Sequence, residues 1–122
     1  MLDRYAELYE EIARELQRAL PEGWTKTWAW SEMSANDGSV VVYYLDAAGT
    51  VGWIQPPLAL YDRFRELNNA ARRTNPALVW TSATFTLDAH GAFDVDFGYD
   101  PIPIEEEADR RAAWKIKYLP HE

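Results

Sequence analysis

Cysteine is absent from the 122 residues. Its absence excludes a disulfide framework, a Cys-based zinc site and a thiol nucleophile, and it suits a reducing compartment, so a cytoplasmic location is expected. Histidine is nearly as scarce. His90 and His121 are the two present, neither in HExxH spacing nor beside a second histidine, so a zinc centre is not expected. There is no GxGxxG and no phosphate-binding glycine loop, and Ser31, Ser34, Ser39 and Ser82 lie in no nucleophile-elbow context. No active site assembles from these residues, so neither catalysis nor a cofactor is expected. Long apolar runs are missing too. Met1-Leu2-Asp3-Arg4 leads straight into a charged amphipathic pattern with no apolar h-region, and no run approaches the roughly 18 residues of a membrane span. Neither an export signal nor membrane embedding is expected.

Positive charge is also in short supply: 12 Lys and Arg stand against 20 Asp and Glu, a net charge of −8. Binding to a phosphate backbone depends on Lys and Arg, so nucleic acid is not the expected direct ligand. The excess acid is concentrated. Asp88, Asp94, Asp96, Asp100, Glu105, Glu106, Glu107 and Asp109 lie in one stretch without a single Lys or Arg. These eight equal the whole net charge, and a field so concentrated can steer a basic partner.

What remains is a chain 48% hydrophobic and 14% aromatic, long enough for one domain, residues 1–122, to bury a core without metal or staples. From Leu2 to Leu20 the apolar residues Tyr5, Leu8, Tyr9, Ile12, Leu16 and Leu20 recur at three- and four-residue steps, predicting an amphipathic helix ended by Pro21 and Gly23. Trp24 to Met33 alternates, which predicts a strand with Trp24, Trp28 and Trp30 on one face. After the turn signal Asn36-Asp37-Gly38, a return strand is expected over 39–46 and a short one over 50–54, stopped by Pro56-Pro57. A second helix reads from Leu58 to Thr74, ending at Asn75-Pro76. A β-rich run over 78–87, a turn at Asp88-Ala89-His90-Gly91 and a strand over 92–99 form the clearest hairpin. Helical spacing returns from Ile104 to Tyr118, with acids in the first turn and bases in the last, as the helix dipole favours. The expected fold is α+β: an antiparallel sheet of about five strands, a meander plus a C-terminal hairpin, packed against three helices in the order αβββαββα.

The C-terminal third carries a recognisable pattern. The run from Trp80 to Asp88, then Gly91, Phe93, Asp96-Phe97-Gly98-Tyr99-Asp100 and Trp114-Lys115-Ile116-Lys117-Tyr118-Leu119, resembles the YezG-like family of bacterial immunity proteins. The opening helix closing in Leu20-Pro21-Glu22-Gly23-Trp24, with Lys26 and Glu32 beyond it, is similar to the start of the same family. Together these matches cover about half the chain. Between Ala35 and Ala77 little matches beyond the order of elements, and the connection looks shorter than in the family, where partner choice is a natural use of such variation. The resemblance implies an antitoxin: a cytoplasmic protein that binds and blocks the C-terminal domain of a polymorphic toxin, often a nuclease. A basic surface on that toxin would complement the acidic stretch.

Individual residues support more than one reading. Asp94 and Asp96 project from one face of their strand, opposite Phe93, Val95 and Phe97, and can be a solvated strand face, a contact for a basic partner, or the start of a hard-cation site. Glu105-Glu106-Glu107 opens a helix, where acids are favoured by about 0.3 to 1 kcal/mol each, yet three in a row exceed what capping needs. Trp24, Trp28, Trp30 and Trp80 fit a core, and Trp114 with Tyr118 fits docking of the last helix. Trp53, beside Gly52 and ahead of Pro56-Pro57, and Tyr99 fit interface anchors. The expected partner-binding set is therefore Asp94, Asp96, Asp100, Glu105, Glu106, Glu107, Trp53 and Tyr99. Two alternatives stay open: a small metal-dependent hydrolase built on Asp88, Asp94, Asp96 and Asp100, and a self-associating adaptor using the surface around Trp53. The oligomeric state is open, with a monomer favoured.

Overall fold

The computed structural model describes residues 3–120, so His121 lies outside the described residues. Helix α1 spans Asp3–Ala19, followed by strands β1 (Lys26–Met33), β2 (Gly38–Leu45) and β3 (Val51–Ile54). Helix α2 covers Leu58–Thr74, then β4 (Ser82–Asp88) and β5 (Phe93–Gly98) form the second hairpin. A 3-10 turn over Ile104–Glu106 leads into α3, Glu107–Tyr118. The order αβββαββα is the expected one, and the α+β class stands.

All strand pairs are antiparallel, and the sheet runs β3-β2-β1-β4-β5. β1 is central because the first hairpin pairs it with β2, while β4, arriving after α2, takes its other edge. Both of its faces are covered. On one face Leu8, Ile12 and Leu16 of α1 and Leu60, Phe64 and Leu67 of α2 pack on Ala29, Met33, Val42, Phe85 and Leu87. On the other, Trp28 and Trp30 pack beneath Trp114 of α3. A strand buried on both sides loses the apolar-polar alternation of a half-exposed one, and from Thr27 to Met33 every residue of β1 is buried.

This arrangement corrects the expectation that three tryptophans share a face. Trp24 precedes β1 and packs, half-buried, on the α1/α2 core, whereas Trp28 and Trp30 face α3. The small and polar residues Thr27, Ala29 and Ser31 point to the two-helix side, where bulk is supplied by the helices. The β-rich run beginning at Leu78 is likewise only in part a strand. β4 starts at Ser82, and Trp80 sits in the core just before it while its carbonyl accepts a hydrogen bond from Asn68 Nδ2 at 2.9 Å.

The two hairpin turns share one chemistry. Asp46 Oδ1 accepts from the backbone N–H of Ala48 and Thr50, and Asp88 Oδ1 accepts from those of His90 and Ala92. In each, the glycine three residues on, Gly49 or Gly91, has positive φ, which other residues adopt only at a steric cost.

Candidate functional site

α3 crosses the sheet face formed by Trp28, Trp30 and Glu32 of β1, Tyr43 of β2, Thr84 of β4 and Asp96 of β5. Its anchor is aromatic. The Trp114 ring stacks on Trp30, with centroids 5.2 Å apart and planes 9° apart, and on Tyr43 at 5.5 Å. Its indole N–H donates to Thr84 Oγ1 at 2.9 Å, which satisfies the polar atom of an otherwise apolar buried side chain.

Two polar ties flank that anchor. Arg110 grips the buried Glu32 carboxylate with Nε and Nη2, and its Nη1 donates to the Pro103 carbonyl at 2.6 Å. Farther along α3, the Tyr118 hydroxyl donates to Asp96, and Lys117 Nζ lies 3.6 Å from the same carboxylate. Between sheet and helix lies a cleft of about 290 Å³ lined by Glu32, Asp96, Asp100, Arg110, Lys117 and Tyr118 among others. The electrostatics follow from these contacts. The hydrogen bond to Glu32 raises the Arg110 guanidinium above its ordinary value, and burial followed by the bond to Asp96 raises the Tyr118 hydroxyl above its own.

The residues expected to bind a partner are only partly brought together. Asp96 and Asp100 line the cleft, Asp94 stands two residues along the same face of β5, and Glu105, Glu106 and Glu107 begin the helix that forms the opposite wall. Asp94 is exposed, and its carboxylate makes no hydrogen bond or ion pair among the described residues. Asp96 is engaged with Tyr118 and Lys117. Although no Lys or Arg lies within the acidic stretch, the fold carries Arg110 and Lys117 back to it.

Trp53 and Tyr99 lie elsewhere. Trp53 is 69% exposed on β3, the opposite edge of the sheet, four strand spacings or about 19 Å from β5. Tyr99 is 51% exposed and lines a groove of about 220 Å³ with Tyr5, Tyr9, Leu78 and Trp80, on the side of α1 and α2. One flat patch cannot hold all eight residues. The four carboxylates of the hydrolase alternative do not converge either: Asp88 is occupied by its turn, Asp96 by α3, and no group of three or more His, Asp or Glu side chains is placed to hold a metal among the described residues.

Sequence reasoning missed Glu32 and Arg110 as partners. A signal existed, since Glu32 continues the Trp28-Trp30 face of a strand otherwise free of acids, and a carboxylate so placed needs a buried cation.

The fold defines an α+β protein of αβββαββα order with a carboxylate-rich edge beside its last helix. It belongs to the YezG-like immunity protein family, whose model, described as "Immunity protein YezG-like", matches residues 53–121. Among its relatives, Immunity protein YezG of Bacillus spizizenii (strain W23) is 24% identical over 135 residues, covering 95% of this chain and 83% of the relative. Immunity protein YezG of Bacillus subtilis (strain 168) is 28% identical over 132 residues, covering 93% and 86%. Both alignments are longer than the 122-residue chain, so the relatives carry residues that it lacks. Family membership supports an immunity role with a toxin as partner, and points to an inhibitor rather than an enzyme.

Proposed function

We propose that this chain neutralises a cognate polymorphic toxin, of nuclease chemistry, in the cytoplasm of the producing cell by covering its basic surface. The observation that carries this reading is the acidic stretch from Asp88 to Asp109, of which Asp94, Asp100, Glu105, Glu106 and Glu107 are exposed around β5 and the start of α3. Nucleic-acid enzymes present Lys and Arg where phosphates bind. An acidic face occupies that site without chemistry, and its field raises the association rate by about tenfold or more at low salt. Rapid capture is useful against a lethal enzyme.

The test is co-expression with a candidate toxin C-terminal domain taken from a neighbouring gene, followed by affinity of the purified pair at low and high salt. Asp94 and Asp100 are the informative positions, because Asp96 also holds α3. Asp94→Lys with Asp100→Lys is expected to slow association, flatten the salt dependence and abolish protection, with the unfolding midpoint retained. Unchanged protection would remove this face from the interface.

A further inference from the structure

β5 is an edge strand of six residues. Asp88 N–H donates to the Ala92 carbonyl at 2.9 Å, so residues 88 and 92 form a hydrogen-bonded pair in the register that continues through Thr86 with Asp94 and Thr84 with Asp96. Alternation along an antiparallel ladder then turns the backbone N–H and C=O groups of Asp94 and Asp96 toward β4, and those of Phe93, Val95 and Phe97 toward the open edge.

The two faces of this edge differ in chemistry. Asp94 and Asp96 stand on the α3 side, and Phe93, Val95 and Phe97 on the other. The Phe93 ring is 46% exposed although it stacks on Phe85 at 5.2 Å and meets Tyr9 at 5.8 Å, so it presents a preformed aromatic shelf. β3, the other edge, has four residues and runs into Gln55-Pro56-Pro57, which limits how far pairing can extend there.

We infer that β5 accepts an extended segment of the toxin as a sixth strand, one in which Lys or Arg alternates with apolar residues. This rests on the reading of the chain as a toxin inhibitor with an acidic face and specifies how that face engages. In an antiparallel addition the residues opposite Asp94 and Asp96 fall in the non-hydrogen-bonded pairs, with Cβ atoms about 4.5 to 5.5 Å apart. Cations there pair with the carboxylates. The intervening apolar side chains cover Phe93 and Phe97, and the backbone groups of Phe93, Val95 and Phe97 gain partners. The same carboxylates select against the commonest wrong occupant. A second copy of this chain adding at β5 would bring Asp94 and Asp96 against their own counterparts, and like charges across a strand pair repel.

Amide hydrogen exchange, with and without the purified candidate toxin domain of the co-expression test, tests the inference. The amides of Phe93, Val95 and Phe97 are expected to become protected on binding, while those of Asp94 and Asp96 are protected already. Val95→Pro removes an outward N–H and no bond to β4, so it should lower affinity at least about tenfold with the unfolding midpoint retained. Toxin binding without new protection at the three amides overturns strand addition, whatever the proline variant does. If affinity still falls in the Asp94→Lys, Asp100→Lys protein, the acidic-face reading survives that failure. If wild-type protein does not bind the domain at all, the inhibitor reading fails first and strand addition with it.

Discussion

Arg110 and Glu32, 78 residues apart, form a two-point ion pair in which Nε donates at 2.7 Å and Nη2 at 3.1 Å to the two carboxylate oxygens. The pair fastens the start of α3 to the end of the central strand. Its geometry is the fork-on-carboxylate arrangement that arginine makes and lysine cannot.

Removing the cation alone should be costly, because Glu32 is only 7% exposed and would keep an uncompensated charge. Arg110→Ala is expected to lower stability by about 3 kcal/mol or more in urea unfolding. Replacing both partners, Glu32→Met with Arg110→Met, should recover most of that loss. A double variant as unstable as the single one would mean that the arginine acts through its bond to Pro103 instead.

Asp46 and Asp88 should be equivalent in stability, since each carboxylate accepts two backbone N–H groups in its turn. Asp88→Ala and Asp46→Ala are each expected to cost about 1 to 2 kcal/mol, and Asp88→Asn, which keeps the acceptor oxygen, should cost less. If Asp88 were instead part of a metal site, titration calorimetry with Mg²⁺ would give a signal that Asp88→Ala abolishes. No such signal is expected.

Tyr9 and Tyr118 both hold their hydroxyl protons more tightly than an ordinary tyrosine, Tyr9 through burial and Tyr118 through burial and then its bond to Asp96. A pKa raised in the folded state means that between the unfolded and folded values the unfolded chain has lost its proton and the native one has kept it. Their stabilising contribution is thus complete below pH 10 and is lost as pH rises above it. Urea midpoints should fall on going into that alkaline range, and the fall should be shallower in Tyr118→Phe. Tyrosinate absorbance followed in parallel would show whether the two groups titrate last.

The elements and their order are written in local sequence signals. Three-four spacing in α1 and α2, the Asn36-Asp37-Gly38 turn, the Asp-x-x-Gly turns and the Phe93-Val95-Phe97 alternation are local signals, and each element lies within a few residues of where those signals place it. The concentration of acid was equally legible, because it is a matter of counting. Tertiary structure alone decided which side of the sheet each element uses. Trp24 parted from Trp28 and Trp30 because it lies before the first residue of β1, where strand alternation no longer fixes the face, and it packs on the α1/α2 core instead. It also decided which of the expected binding residues are neighbours. Trp53 and Asp94 are 41 positions apart in the chain, a separation that does not determine distance in space, but the order β3-β2-β1-β4-β5 puts them on opposite edges. Lys117 and Arg110, outside or at the limit of any local pattern, return to Asp96 and Glu32 because α3 must bury Trp114, and that packing carries its charged neighbours with it.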